Sequence, residues 1–178
     1  MKGNTASLNG KQIEAIIFDM DGTLSDSIDV YFNIFNQAAA TIGLKLEREE
    51  VMLCLANHIN IWEKLLPDDL PMREQVITKM NMATRDIYIA TTQKVNLFAN
   101  VEQIFKKLRD NDIKMGIVTG ASKAGLIPIY DNKFEHYFEV MMSREDVILR
   151  KPAPDSIIAC LKHMDVEPKK SVVVGDTP

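Results

Sequence analysis

The chain of 178 residues is 46% hydrophobic and 26% charged, which is the composition of an ordinary globular protein with one core, or with a core and a small insert. A formal net charge of −4 argues against the basic face that nucleic-acid binding needs and leaves room for a bound cation. No apolar run reaches the roughly 18 residues of a membrane span, and residues 1–11 lack the apolar segment of a signal peptide. We therefore expect a cytoplasmic protein whose Cys54 and Cys160 are buried, reduced thiols.

The first predicted element follows a loose, polar tail that extends to Gly10. Residues 13–18 form a short and nearly continuous apolar run, which is typical of a strand buried on both faces of a sheet. The run stops abruptly at the polar sequence Asp-Met-Asp-Gly-Thr, residues 19–23. A buried strand that ends in charged residues predicts a polar site at its carboxyl end.

The next segment, residues 28–96, shows helical periodicity and no strand signal. Its first apolar stripe ends at Gly43, which is expected to cap the helix, and consists of Ile28, Tyr31, Phe32, Phe35, Ala39 and Ile42. Further helices are predicted at residues 47–57, 62–66 and 72–89. We interpret the segment as an all-helical insert whose core contains Trp62, Met52, Met72, Met80 and Met82.

The remainder of the chain alternates strands and helices. Apolar runs predict strands at residues 114–119, 171–175 and, more weakly, 138–142. One intervening helix is predicted to begin after Asn100, with Gln103 as the partner in a capping box, and another is opened by Pro154. Strands alternating with helices indicate a parallel sheet that is covered on both faces.

Three aspartates are expected at one edge of this sheet. Asp19 and Asp21 follow the first strand, with Gly22 where the backbone turns, and Asp176 follows the last strand. Ligands of open parallel sheets bind just beyond the carboxyl ends of the strands. Two carboxylates one residue apart can act as nucleophile and as acid or base, and Mg²⁺ favours oxygen ligands such as Asp19 and Asp176. The same residue types also form ordinary polar turns, so a single pair decides little.

Two further groups at the predicted edge suit a phosphate. Thr119 and Gly120 follow the second strand, with Ser122 placed to cap the next helix, and a hydroxyl with free amides at a helix start can cradle an anion. Lys151 precedes the stiff sequence Pro152-Ala153-Pro154, which fixes its backbone. Its ammonium group can neutralise a phosphate or orient a carboxylate.

Four segments in this order resemble the motifs of the haloacid dehalogenase superfamily. They are residues 18–27 (Phe-Asp-Met-Asp-Gly-Thr-Leu-Ser-Asp-Ser), 118–120 (Val-Thr-Gly), 151–155 (Lys-Pro-Ala-Pro-Asp) and 174–178 (Val-Gly-Asp-Thr-Pro). The insert resembles the small helical cap of the phosphoglycolate phosphatase and β-phosphoglucomutase branch. The resemblance implies an α/β fold with a Rossmann-like parallel sheet core, residues 1–27 and 97–178, and an inserted all-helical cap, residues 28–96.

The resemblance also implies a Mg²⁺-dependent phosphatase of small phosphorylated metabolites that works through an aspartyl-phosphate intermediate. The implied roles are nucleophile and metal ligand for Asp19, acid/base and backbone metal ligand for Asp21, phosphate binding for Thr119 and Gly120, charge stabilisation for Lys151, and Mg²⁺ binding for Asp176. Neither nucleic acid nor membrane is expected as a partner, and the sequence does not address the oligomeric state. These groups supply positioning and charge neutralisation, on which phosphoryl transfer mainly depends.

The sequence departs from the family pattern in three places. The second motif reads Thr-Gly-Ala, where relatives often have a polar residue after the threonine, and the insert lacks the Gly-x-x-Arg element of a β-phosphoglucomutase cap. The chain ends at Pro178, inside the fourth motif, so we expect either a lost C-terminus or a minimal form. A phosphomutase and a catalytically incomplete phosphate-binding protein stay open as alternatives. Candidate specificity residues in the insert are Asn57, His58, Asn60, Lys64 and Arg85.

Overall fold

The computed structural model describes residues 7–8, 11–57, 59–91 and 95–176. The chain divides into two compact units, Met1–Asp26 with Asn96–Pro178, and Ser27–Val95. The strands are β1 (Ser7–Leu8), β2 (Lys11–Gln12), β3 (Ala15–Phe18), β4 (Lys114–Val118), β5 (Val140–Met142) and β6 (Ser171–Val174). The α-helices are α1 (Ile28–Ala40), α2 (Arg48–Ala56), α3 (Ile61–Leu65), α4 (Arg73–Thr91), α5 (Val101–Asp110), α6 (Ile127–Asp131) and α7 (Asp155–Met164).

The first unit is built on a four-stranded parallel sheet in the order β5-β4-β3-β6. Strand β3 is central, and its last residue, Phe18, pairs with Ile117 of β4 on one side and with Val174 of β6 on the other. Each predicted apolar run therefore forms a strand, and the predicted parallel α/β core is confirmed. The register brings the carboxyl ends of β3, β4 and β6 to the same edge.

Side-chain alternation along the strands separates the core of this unit into two layers. Ile17 of β3 and Val118 of β4 face α7, where they pack with Cys160 and Met164. The alternate residues of these strands face the α5 side of the sheet. The buried cluster on that side consists of Phe18, Met20, Leu24, Val101, Phe105, Met115, Ile117, Leu126, Ile129 and Tyr137. Both faces of β3 and β4 are thus covered, which explains why their sequences are continuously apolar rather than alternating.

Three local predictions for this unit were wrong. Ser7–Leu8, placed in the loose tail, pairs antiparallel with Lys11–Gln12. Asn100 precedes α5 in a left-handed conformation with φ of 68°, so its side chain makes no capping hydrogen bond to the described helix. Ser122 likewise makes no side-chain cap to the short 3₁₀ helix Lys123–Leu126 that follows it. A side-chain cap needs extended backbone at the cap residue, which Asn100 lacks, and residue type does not determine that conformation. Ser122 has extended backbone, with φ of −70° and ψ of 173°, and still makes no cap.

The second unit contains helices α1–α4 as its regular elements within the described residues. Its core is formed by Ala38, Ala39, Leu46, Val51, Cys54, Ile61, Trp62, Leu66, Ile77 and Met80. The predicted core positions of Trp62 and Met80 are confirmed, but Met72 and Met82 are exposed. Met72 precedes α4 with φ of 56°, a conformation outside the helical region, and Met82 lies on the outer face of α4.

The prediction that Gly43 caps the first helix is confirmed. Helix α1 ends at Ala40, and Gly43 follows in the left-handed conformation with φ of 72°. The Gly43 amide donates to the Ala40 carbonyl at 3.2 Å and the Leu44 amide to the Ala39 carbonyl at 3.0 Å, which is the hydrogen-bond pattern of a glycine C-cap. Both cysteines are buried free thiols, as predicted. None of the helices in the described part of the chain is long and apolar enough to cross a bilayer.

Candidate active site

Asp19 lies one residue beyond the central strand β3, where its backbone amide still donates a hydrogen bond to the Val174 carbonyl at 2.8 Å. The strand ladder thus fixes the backbone of Asp19. Its carboxylate Oδ1 accepts a hydrogen bond from Lys151 Nζ at 2.6 Å, and the two side chains are only 17% and 18% exposed. Partial burial lowers the local dielectric, so this ion pair is a stronger electrostatic feature than a surface pair of equal length.

Lys151 reaches Asp19 from the segment between β5 and α7. Its ammonium group also donates a hydrogen bond to the backbone carbonyl of Val118, the last residue of β4, at 2.8 Å. The nitrogen is therefore held between a carboxylate at the end of β3 and a carbonyl at the end of β4. The predicted proximity of Lys151 to a carboxylate after the first strand is present, but the role of Val118 was not predicted, because a backbone acceptor leaves no signature in a sequence.

The turn after Asp19 places Asp21. Gly22 has φ of 75°, a conformation that suits glycine, and its amide donates to the Ser25 carbonyl at 2.9 Å. The fully buried Ser25 closes the turn by donating from its hydroxyl to the Met20 carbonyl at 3.1 Å. Sequence reasoning missed Ser25, although a serine shortly after a glycine turn is a common partner for backbone groups. The turn is thus fixed from both sides.

Thr119 lies at the end of β4 and is 2% exposed. Its amide donates to the Met142 carbonyl at 2.9 Å, and its hydroxyl oxygen accepts a hydrogen bond from the Ala121 amide at 3.0 Å. The same hydroxyl lies 3.5 Å from Asp21 Oδ2, at the long limit of a hydrogen bond. Gly120 is exposed at the tip of this turn. The structure therefore brings Thr119 to Asp21, as it brings Lys151 to Asp19.

Asp176 follows β6, two residues beyond Val174, and is exposed. Within residues 7–8, 11–57, 59–91 and 95–176, no three histidine, cysteine, aspartate or glutamate side chains converge as a group that could hold a metal ion. Mg²⁺ requires fewer protein ligands than that, because one or two carboxylates suffice when phosphate oxygens and water complete the octahedron. The hard oxygen donors at the ends of β3 and β6 fit this ion by their chemistry.

The arrangement has the groups for attack on a phosphorus centre. A carboxylate that is fixed in position and paired with a fixed ammonium group can act as a nucleophile towards an anion, because the cation offsets repulsion between the two negative charges. A second carboxylate two residues later can transfer protons. The first carboxylate depends on backbone that is hydrogen-bonded to β6, and the second on the turn that Gly22 and Ser25 close.

Two polar residues of the insert have local partners. The Asn60 side chain accepts hydrogen bonds from the amides of Trp62 and Glu63 at 3.0 and 3.3 Å and so caps α3. The side-chain nitrogen of Asn57 donates to the Leu53 carbonyl at 2.8 Å. Lys64 and Arg85 are exposed, and His58 lies outside the described residues. Asn57 and Asn60 thus both stabilise the ends of helices.

A class of hydrolase is defined by this parallel sheet, by the paired carboxylates after its central strand and by the lysine that contacts the first of them. A family model described as haloacid dehalogenase-like hydrolase matches residues 16–178, which is most of the chain. The chain therefore belongs to this family, and the resemblance inferred from the four motifs is confirmed.

Individual relatives agree with this assignment. The chain is 26% identical over 175 residues to a Clostridium perfringens protein provisionally named pyrophosphatase PpaX, covering 93% of this chain and 76% of that protein. It is 24% identical over 189 residues to phosphoglycolate phosphatase of Escherichia coli K12, covering 94% and 75%. The solved structure of β-phosphoglucomutase from Clostridium difficile superposes with a TM-score of 0.75 at 18% identity, covering 93% and 77%, which shows a shared fold.

Proposed function

We propose that the protein is a Mg²⁺-dependent phosphatase of small phosphorylated metabolites that acts through an aspartyl-phosphate at Asp19. The observation that carries the proposal is the 2.6 Å contact between Lys151 Nζ and Asp19 Oδ1 at the carboxyl end of the central strand. The backbone of Asp19 is held by its hydrogen bond to the Val174 carbonyl, and phosphoryl transfer depends on positioning more than on intrinsic reactivity.

In this mechanism a carboxylate oxygen of Asp19 attacks phosphorus, the phosphorus–oxygen bond to the leaving group breaks, and a mixed anhydride forms on Asp19. Lys151 neutralises charge that gathers on the phosphoryl oxygens, because its contact with the Val118 carbonyl keeps the ammonium group at the strand ends. Thr119 and the amide of Gly120 hold the phosphate from the β4 side.

Proton transfer is assigned to Asp21. It donates a proton to the departing alkoxide and then accepts one from the water that hydrolyses the anhydride. The turn closed by Gly22 and Ser25 holds its backbone. Mg²⁺, held by Asp19, Asp176 and the backbone carbonyl of Asp21, would supply neutralisation and alignment of phosphoryl oxygens.

The substrate class follows from the family. Phosphatases of phosphoglycolate and of pyrophosphate are named among the curated relatives, and we propose a small, phosphorylated substrate of this kind in the cytoplasm. A phosphomutase is the second candidate, because a mutase of the same fold superposes on the chain. A requirement for a bisphosphate activator would distinguish the mutase from a phosphatase.

The decisive experiment compares the parent with Asp19→Asn for Mg²⁺-dependent turnover of 4-nitrophenyl phosphate. We expect a loss of at least ~4 kcal/mol of transition-state stabilisation, about three powers of ten in rate, because the change removes the nucleophilic charge. Asp110→Asn is the matched control, since Asp110 is exposed at the end of α5 in the same unit. Retention of more than about a tenth of parent activity by Asp19→Asn contradicts the assignment.

The third candidate is a catalytically incomplete phosphate-binding protein. It is favoured over the enzyme if the parent binds phosphate but does not turn over 4-nitrophenyl phosphate.

A further inference from the structure

The loop after β5 contains a hydrogen-bonded turn, anchored on one buried serine, that the proposed mechanism does not use. Ser143 is 1% exposed, and both its amide and its hydroxyl donate to Oδ2 of Asp146, at 2.8 and 2.7 Å. The Ser143 hydroxyl oxygen also accepts a hydrogen bond from the Glu145 amide at 3.2 Å. One carboxylate oxygen thus organises the whole turn, because its two donors belong to a residue that cannot reach solvent.

This turn is joined to the loop that follows β4. The amide of Arg144 donates to the Ala121 carbonyl at 3.0 Å, and Oδ1 of Asp146 lies 3.3 Å from Lys123 Nζ. Lys123 is 65% exposed, so the ion pair by itself contributes little. The backbone contact between Arg144 and Ala121 is the firmer link, and it exists only while the turn around Asp146 keeps its shape.

The link continues to Thr119. The Ala121 amide donates to the Thr119 hydroxyl oxygen at 3.0 Å, so a shift of Ala121 changes the orientation of that hydroxyl. The contacts therefore run from Asp146 through Ser143 and Arg144 to Ala121, and from there to Thr119. Contacts that hold the neighbours of a binding group determine how accurately that group is positioned for its ligand.

We propose that Asp146 is a positioning residue that fixes the loop of Thr119, Gly120 and Ala121 for phosphate binding; the proposal rests on the proposed function in taking this loop as the phosphate-binding element. The ionised carboxylate is the form that accepts three donors at once. Burial opposes ionisation, but the hydrogen bonds from Ser143 and the charge of Lys123 outweigh it, so the pKa of Asp146 lies below its ordinary value.

Two substitutions separate the contacts. Asp146→Ala removes the acceptor for Ser143 and the partner of Lys123, whereas Asp146→Asn keeps an oxygen for Ser143 and loses the charge. The measured quantity is the inhibition constant of inorganic phosphate against turnover of 4-nitrophenyl phosphate with Mg²⁺. We expect it to rise about tenfold in Asp146→Ala and about threefold in Asp146→Asn, with kcat within about twofold of the parent, because binding rather than chemistry is loosened.

Glu102→Ala is the control, because it removes a carboxylate that pairs with Lys106 on the surface of α5 and touches none of these loops. It should leave the inhibition constant unchanged. An unchanged constant in a folded Asp146→Ala overturns the proposal, as does a loss of kcat in Asp146→Asn with no change in phosphate affinity. If Asp146→Ala does not fold, Asp146→Asn decides alone, and an unchanged constant there is equally negative.

Failure of the proposed function gives a different result. If the parent binds inorganic phosphate in calorimetry but has no turnover, the enzyme assignment fails while the affinities of the Asp146 variants still test the positioning role. If the parent turns over substrate and the Asp146 variants behave like the parent, only the positioning role fails. A parent that neither binds phosphate nor turns over substrate overturns both.

Discussion

Gly116 in the middle of β4 gives the sharpest test of the core beneath the site. A Cβ atom at this position would lie 2.5 Å from Cys160 Sγ and 3.4 Å from Met164 Cε, both on α7. A distance of 2.5 Å is far below van der Waals contact, so the sulfur of the fully buried Cys160 must shift within the core. We expect Gly116→Ala to destabilise the unit by about 1–3 kcal/mol through overpacking, of which the lower entropy of the unfolded chain offsets up to about 1 kcal/mol.

The double variant Gly116→Ala with Cys160→Ala distinguishes this contact from a general effect on the strand. Cys160→Ala alone leaves a small cavity and should cost about 1 kcal/mol. In the double variant the added methyl group fills the space that the sulfur leaves. Its loss of unfolding free energy should therefore be smaller than the sum of the two single losses by about 1–2 kcal/mol.

The assay is urea unfolding followed by far-ultraviolet circular dichroism. Trp62, the single tryptophan of the chain, lies in the helical unit, so its fluorescence provides a separate reading of that unit. Additivity within about 0.3 kcal/mol, or a destabilisation by Gly116→Ala below that amount, would show that α7 moves freely and that the packing argument is wrong.

Two further predictions concern protons. Asp21→Asn should slow hydrolysis of alkyl phosphates far more than that of aryl phosphates, whose leaving groups need little protonation. If the initial rates of both series fall by the same factor, Asp21 has only a structural role in the turn. Burial raises the pKa of the Cys160 thiol from 9.0 to about 12, so the unfolded chain releases this proton first and stability falls as pH rises above 9.0. Near pH 10.5 the free energy of unfolding should be lower than at pH 8 by about 2 kcal/mol because of this thiol. The measurement is the urea midpoint at the two pH values, which should fall further in the parent than in Cys160→Ala.

The sheet was predictable because its strands are buried. Residues 15–18 and 114–118 are covered on both faces, so apolar side chains are required at nearly every position and the run is visible without any partner. The polar residues that follow such runs are then placed at one edge by topology alone. This is why the positions of Asp19, Thr119 and Asp176 at strand ends could be inferred without knowledge of the strand order.

Features that depend on backbone conformation or on distant contacts could not be inferred in the same way. Met72 has the residue type of a core position but adopts a positive φ at the start of α4 and is exposed. The pairing of Ser7–Leu8 has only a weak sequence signal, the Asn9-Gly10 dipeptide, which is typical of hairpins. The contact of Lys151 with the Val118 carbonyl joins residues 33 positions apart through a main-chain atom.

The central position of β3 has a consequence for the dynamics of the molecule. Each amide of a strand donates to one neighbouring strand, and the amide of Asp19 donates to the Val174 carbonyl of β6, which lies at the edge of the sheet. Amide hydrogen exchange at Asp19 should therefore require only the opening of β6, whereas amides of β3 that donate to β4 should stay protected until that interior ladder opens. The backbone of the proposed nucleophile is thus only as protected from exchange as the edge strand beside it.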